Sequence, residues 1–168
     1  NNFKASMYYQ EVVERNPDYE MAFQAKINRA LSFSGRNSKA IKLQLLKMLK
    51  DDKNIEYFDQ IYYALAEISF KNNAEELGKE QLQKSINLST NNLPQKIKSM
   101  KRMGDLFFEN SQYITSYFYY DSIQKTSLKA YKNKDQVDKR HKILKKIFNN
   151  KTLIEKNDSL FAICSLKP

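Results

Sequence analysis

Residues 103–123 read MGDLFFENSQYITSYFYYDSI, and how this stretch folds decides the architecture of the chain. Two apolar patterns flank the polar corner Asn110-Ser111-Gln112. In the second, Tyr113, Tyr117 and Tyr120 recur at i, i+4 and i+7, with Ser116 and Ile123 on the same stripe. A spacing of 3.6 residues per turn puts such a set on one face of a helix, so these five residues are expected in a core. Phe118 and Tyr119 fall off the stripe and are expected against C-terminal helices or solvent. Gly104 and Ser116 are small, which lets two helix axes approach closely, and Phe107 fills the space beside them. Phe107, Tyr113, Tyr117 and Tyr120 therefore read as the interior of a helical hairpin rather than as an aromatic cage for a ligand.

The same arrangement recurs upstream. Small residues inside successive second helices, Ala5, Ala40, Gly78 and Ser116, are separated by 35, 38 and 38 residues. In the first helices, Leu65-Ala66 precedes Met103-Gly104 by 38, and Tyr62 precedes Met100 by 38. A fixed period at independent sites indicates stacked helical hairpins, each burying its apolar face on the next. Only three Gly and three Pro in 168 residues leave little material for the tight turns of a β protein, which also favours long helices. Expected helices cover 3–15, 18–34, 37–50, 55–72, 74–88, 93–110 and 112–130. Asn16-Pro17-Asp18 ends the first and caps the second. Asp51-Asp52-Lys53-Asn54 is expected as a polar connector. Two further helices, 135–149 (Val137, Ile143, Leu144, Ile147, Phe148) and 151–164 (Leu153, Ile154, Leu160, Phe161, Ile163), are expected to cap the open end of the stack.

These residues resemble the tetratricopeptide repeat, a helix–turn–helix unit with small and large residues at set places. The third unit carries Met103-Gly104, Phe107, Tyr113, Ser116, Tyr120 and Ile123. The second carries Tyr62, Leu65, Ala66, Gly78, Leu82, Ser85 and Ile86, with Ser69-Phe70 at the aromatic place. The first carries Phe23, Ile27, Ala30, Ala40, Leu45 and Leu49, and an N-terminal fragment carries Ala5, Tyr9, Val12 and Pro17. The expectation is an all-α superhelix of tetratricopeptide-like hairpins over 1–132, its first repeat truncated, with capping helices over 133–168 in the same domain. The resemblance further implies a concave groove lined by the first helices. By family alignment the groove residues are Gln24, Asn28 and Leu31 in unit one, Gln60, Tyr63, Glu67 and Phe70 in unit two, and Lys98, Lys101, Arg102, Asp105 and Phe108 in unit three. Asn28, Lys98 and Arg102 match three places of the family's clamp for a peptide's terminal carboxylate. Gln24 and Ala64 depart from it, so a mixed basic and aromatic groove is expected instead.

A narrower resemblance rests on LKMLKDDKNIEYFDQIYYALAEISF, STNNLPQKIKSMKRMGDLFFE, NDSLFAI and NPDYEMAFQAKINRA. These stretches are similar to the SprE/PorW-like tetratricopeptide lipoproteins of the bacterial type IX secretion and gliding-motility system. That resemblance implies a non-catalytic assembly scaffold on the periplasmic face of the outer membrane, with secretion-machine proteins as partners. Membrane attachment would come only through a lipid anchor outside these residues. A generic repeat domain would instead be cytoplasmic. The chain begins NNF inside a helical pattern and reads as a piece of a longer protein.

The remaining composition narrows the chemistry. One His and one Cys provide no HExxH motif, no paired CxxC and no His-dependent triad. Three isolated glycines cannot form a phosphate-cradling loop. Cofactor, metal and small-molecule substrate sites are not expected. His141, within Lys139-Arg140-His141-Lys142, is expected on a solvent-exposed helical face, and Cys164 as a small core residue. No uncharged run exceeds eleven residues (110–120), too short to span a bilayer. Net charge is +10 and uneven. Residues 1–84 hold 13 basic and 12 acidic side chains, residues 85–168 hold 16 and 7, and 125–156 alone hold 11 and 3. This basic half leaves open a binder of nucleic acid or an anionic surface, although aromatics suited to base stacking are not interleaved with its lysines. A regulatory domain that binds a peptide tail in its groove is the other alternative.

Overall fold

The structure, a computed structural model, describes residues 2–33, 38–126 and 134–164, and the side chains of Asn2 and Phe3 lie outside that description. Its elements are α1 (Asn2–Glu14), α2 (Tyr19–Ser32), α3 (Lys39–Met48), a 3₁₀ helix (Asp52–Tyr57), α4 (Phe58–Lys71), α5 (Glu75–Leu88), α6 (Leu93–Glu109), α7 (Tyr113–Lys125) and α8 (Lys134–Cys164). Among the described residues there is no strand. The expected boundary at 132–133 and the last residues of the 112–130 helix lie outside them.

Helix ends follow local chemistry. Pro17 has no N–H and closes α1, and Asp18 accepts the Met21 N–H at 2.8 Å as the N-cap of α2. Asn92 opens α6: its side-chain oxygen accepts the Gln95 N–H at 3.2 Å. Pro94 then sits in the first turn, where a missing N–H costs nothing.

The chain forms two compact units, residues 1–99 and 100–168. In unit 1, α1 packs on α2, α2 on α3 and α4, and α4 on α3, α5 and the 3₁₀ helix. Its core joins Phe23, Ile27, Ala30, Ile41, Leu45, Met48, Ile61, Ala64, Leu65 and Ile68. The stretch 51–57 is more than a polar connector. Asn54 is 3% exposed, accepts the Tyr19 hydroxyl at 2.6 Å and donates to the Met48 carbonyl at 2.8 Å. Ala40, expected at a helix contact, is exposed, and Ile41 and Leu45 make the core contacts of α3 instead.

In unit 2, α7 packs on α8, and Tyr117, Tyr120, Ile123, Val137 and Leu144 are buried. Tyr113 departs from the expected core stripe. It lies in the first turn of α7, at the open end of the helix, where it is exposed and meets Phe108 edge-on at 5.2 Å. Of the two off-stripe aromatics, Phe118 contacts Phe148 of α8 at 5.7 Å and Tyr119 stacks on Phe107 at 5.6 Å. The expected break near residue 150 is absent, and α8 is one helix of 31 residues. Nothing in Asn149-Asn150-Lys151-Thr152 forbids α-helix, since neither Gly nor Pro is present. The expected burial of 151–164 as a cap is not seen: every one of these residues is exposed, including Leu153, Ile154, Leu160, Phe161, Ile163 and Cys164.

The 38-residue period is visible in backbone geometry. Asn73 and Ser111, 38 apart, turn the α4–α5 and α6–α7 corners with left-handed φ of 58° and 59°. Ala74 N–H bonds the Ser69 carbonyl at 2.9 Å, and Gln112 N–H bonds that of Phe107 at 2.8 Å. Asn73 N–H reaches Phe70 at 3.1 Å, and Ser111 N–H reaches Phe108 at 3.0 Å. These i→i−5 and i→i−3 bonds satisfy the last carbonyls of each first helix in the same way.

Candidate functional site

The expected groove residues divide between the two units. On α4, Tyr63, Glu67 and Phe70 follow one another at helical spacing along one face. Lys98, in the part of α6 that belongs to unit 1, holds its ammonium 4.3 Å from the centre of the Tyr63 ring. Burial holds the Lys98 ammonium below the usual lysine range, and the nearby Glu67 carboxylate partly opposes that effect. The three side chains form a small aromatic and charged cluster whose cation is partly stripped of water. Phe70 covers Gly78, where a Cβ would run into its ring. Asn28 stands half-buried on α2, and Gln24 of the same helix reaches Gln60 of α4 at 3.5 Å. Lys71, which the alignment did not single out, donates to the carbonyls of Leu31 and Phe33 at 2.7 and 2.8 Å and ties α4 to the end of α2.

In unit 2 the expected groove residues are engaged within the protein. Lys101 pairs with Asp105 one turn on at 2.6 Å, and the other Asp105 oxygen accepts the Tyr120 hydroxyl at 2.6 Å. Phe108 meets Tyr113 on one edge, and the Arg140 guanidinium lies 3.9 Å from its ring centre. Arg102 is half-buried on α6. Asp105 and Phe108 thus brace their own unit.

Sequence reading missed a buried polar network in unit 1. Asp59 is 2% exposed. Its carboxylate accepts the Gln60 N–H at 2.7 Å and the Ser89 hydroxyl at 3.0 Å, and Asn92 also bonds it. Ser85 donates to the Asp59 carbonyl at 2.7 Å and lies 2.8 Å from Ser99, which accepts from Gln95 at 3.0 Å. Burial pushes the Asp59 carboxyl above its ordinary value despite these donors. A cleft of about 490 Å³ opens beside the network, lined by Glu56, Tyr57, Asn87, Thr90 and Asn91 among others. The available signal was Ser85 and Ser89 at i, i+4, three and seven residues beyond the core Leu82, where an apolar stripe would continue.

A second cleft, of about 630 Å³, lies between α2 and α3, with Lys26, Arg29 and Lys47 around Leu43 and Met48. His141 is not solvent-exposed as expected. Its side chain is 16% exposed, with Nε2 3.2 Å from Asp121 Oδ1, and it stacks on Tyr117 at 5.6 Å. The helical period explains this: Val137, His141, Leu144 and Phe148 share one face of α8, and that face packs on α7. Lys125 and then His141 hold the Asp121 carboxyl below its usual range. Among the described residues no three His, Cys, Asp or Glu side chains gather in a way that could hold a metal ion. No described helix is long and apolar enough to cross a membrane.

No protein-family model matches the chain, and no curated protein matches it.

Proposed function

We propose that the chain is a non-catalytic scaffold of tetratricopeptide-like hairpins that binds protein partners. The observation that carries this reading is the repeated hairpin corner at Asn73 and Ser111, with the same backbone bonds 38 residues apart. Repetition at that level supports a repeat array, whose use is to present an extended surface. Lys98, Tyr63 and Glu67 supply a contact chemistry suited to a peptide that offers both a carboxylate and apolar surface. Through the resemblance to SprE/PorW-like lipoproteins, which spans most of the chain and is strongest over 46–122, we further propose a place in the type IX secretion and gliding-motility machinery at the periplasmic face of the outer membrane. Cross-linking and co-purification of the parent protein from its cells test both parts. Recovery of outer-membrane translocon proteins is the expected result, and recovery only of cytoplasmic or ribosomal proteins overturns the placement.

One observation favours a second reading. Lys139, Lys142, Lys145, Lys146, Lys151 and Lys156 are all exposed on α8. An anionic surface or RNA would meet them, and such binding weakens steeply with salt.

A further inference from the structure

Helix α8 carries two apolar faces, and unit 2 uses one of them. Val137 and Leu144, both 0% exposed, lie with His141 and Phe148 against α7. At about 100° per residue, a second stripe runs along the far side: Ile143, Asn150, Leu153, Asn157, Leu160 and Cys164. Ile143, Leu153 and Leu160 are 53%, 58% and 51% exposed, with Ile154 beside them at 59%. An apolar surface of this kind, kept in water by a folded helix, marks an interaction site.

The spacing of this stripe, 7, 3, 4, 3 and 4, is that of the a and d positions of a heptad repeat. Ile143, Asn150, Asn157 and Cys164 take the a lane, and Lys146, Leu153 and Leu160 the d lane. Lys146 spoils the first d layer, so the usable seam runs from Asn150 to Cys164. The positions facing away from such a seam are Lys151, Thr152, Glu155, Asp158, Ser159 and Ala162, polar except for the small Ala162, with Lys151 and Glu155 paired at 3.6 Å. In the preceding heptad the outward positions are Leu144 and Phe148, which face the protein's own α7. Pairing along the seam therefore leaves unit 2 undisturbed.

We propose that residues 150–164 pair with the same segment of a second copy of this chain, parallel and in register, as a short two-stranded coiled coil. The asparagines select this occupant. An apolar partner would leave two buried amides without hydrogen bonds. In an antiparallel pair each a layer faces a d layer, and Asn150 and Asn157 would meet leucine. Only the parallel, in-register pair sets Asn150 against Asn150 and Asn157 against Asn157, the arrangement by which a polar a position fixes register and a two-stranded state. The inference stands apart from the groove reading above and does not depend on it.

Sedimentation equilibrium of the 168-residue chain provides the first test. Two heptads holding two amides associate weakly, so the series extends to about 0.5 mM protein. The expected result is a concentration-dependent dimer that strengthens with added salt, because salt screens the repulsion between two chains of net charge +10. A monomer throughout the series overturns the proposal. Leu153→Lys with Leu160→Lys changes two exposed residues, so the circular dichroism spectrum should stay helical while the dimer is lost. A dimer that survives the change also overturns it. Asn157→Leu gives an independent readout, with association tightened at least tenfold. Cys164 reports orientation: mild oxidation should link the parallel dimer through Cys164 at protein concentrations where dimer is present. An antiparallel pair holds these sulfurs about 20 Å apart. Dimer without cross-linking therefore refutes the parallel register.

Discussion

Gly104 lies under the ring of Tyr120. A Cβ added to the glycine would stand 2.9 Å from two ring carbons and 3.3 Å from Tyr119 Cβ. Tyr120 is 1% exposed and its hydroxyl is held by Asp105 at 2.6 Å, so the ring has nowhere to go. Ser116 donates to the Gly104 carbonyl at 2.8 Å and fixes the approach from the other helix. Gly104→Val should lower stability by about 2–3 kcal/mol, from overpacking plus a poorer helix former than Ala. Gly104→Ala should cost less, because helix propensity returns up to about 1 kcal/mol.

Gly78 gives the contrasting case. Its added Cβ would meet the Phe70 ring, but Phe70 is only half-buried and sits in the last turn of α4, whereas Tyr120 is fully buried. Gly78→Ala should fall within about 1 kcal/mol of the parent. Urea unfolding of the two alanine variants side by side checks the ranking. An equal loss in both would mean that Tyr120 is no better held than Phe70.

The hairpins were legible in the sequence because packing leaves a periodic mark. Gly78, Gly104, Ser116, Leu65 and Tyr120 each occupy a place that only a small or a large residue can fill, and both hairpin corners fall where the spacing puts them. Two features were harder to see, although Ser85 and Ser89 do continue the stripe of Leu82. The network of Asp59, Ser85, Ser89 and Ser99 consists of residue types that usually face water, and only their placement inside a helix junction makes them core. The course of α8 past Asn150 was equally hidden, since Leu153, Leu160 and Ile163 have the pattern of a buried stripe and the fold leaves them exposed. Periodicity tells that a face is apolar and says nothing of what covers it. Alignment placed Asp105 and Phe108 in the expected groove, yet Tyr120 holds the one while Tyr113 and Arg140 flank the other, side-chain contacts that leave no periodic trace.

Tyr120 and Tyr117 should respond differently to loss of the hydroxyl. Tyr120 donates to Asp105 at 2.6 Å, whereas Tyr117 lies 3.4 Å from Asp121. Tyr120→Phe removes a short bond to Asp105 Oδ1 from a buried ring and should cost about 1–2 kcal/mol. Tyr117→Phe should change stability by less than about 0.5 kcal/mol, since a bond of that length contributes little. Thermal denaturation of both variants decides it, and equal losses would remove Asp105 as the anchor of α7.

Asp59 should make the protein more stable as the solution is acidified, over a limited window. Burial raises its folded-state pKa above the ordinary value. The folded state therefore takes up a proton before the unfolded state does, and the cost of the buried charge disappears as pH falls through the folded pKa. Below the unfolded value, about 3.9, both states are protonated and this group has no further effect. Asp121, whose pKa is depressed, acts in the opposite sense and only at lower pH. Asp59→Asn keeps an acceptor for the Gln60 N–H and carries no charge. At pH 7 it should be at least as stable as the parent, and the difference should narrow as pH drops toward 4. Melting curves from pH 7 to 4 would contradict this if the parent lost stability relative to Asp59→Asn on acidification.

Lys98 determines how a groove should be tested. Its ammonium is favoured by the Tyr63 face at 4.3 Å and by Glu67, and disfavoured by burial, the largest of the influences on its pKa. A cation over an aromatic ring contributes about 0.5–2 kcal/mol, and a partly buried charge loses a similar amount of hydration. Lys98→Met, which keeps the stem and drops the charge, should therefore stay within about 1 kcal/mol of the parent at pH 7. Lys98→Glu places a carboxylate against a ring face and beside Glu67, and should cost about 2–4 kcal/mol. Loss of a partner in the glutamate variant would then report partial unfolding as much as a broken contact. The methionine variant isolates the charge: if the ammonium grips a partner's carboxylate, Lys98→Met abolishes binding while its urea midpoint stays near that of the parent. Full binding by a folded Lys98→Met would exclude Lys98 from the contact, and equal stability of the two variants would show that Glu67 and Tyr63 do not confine position 98.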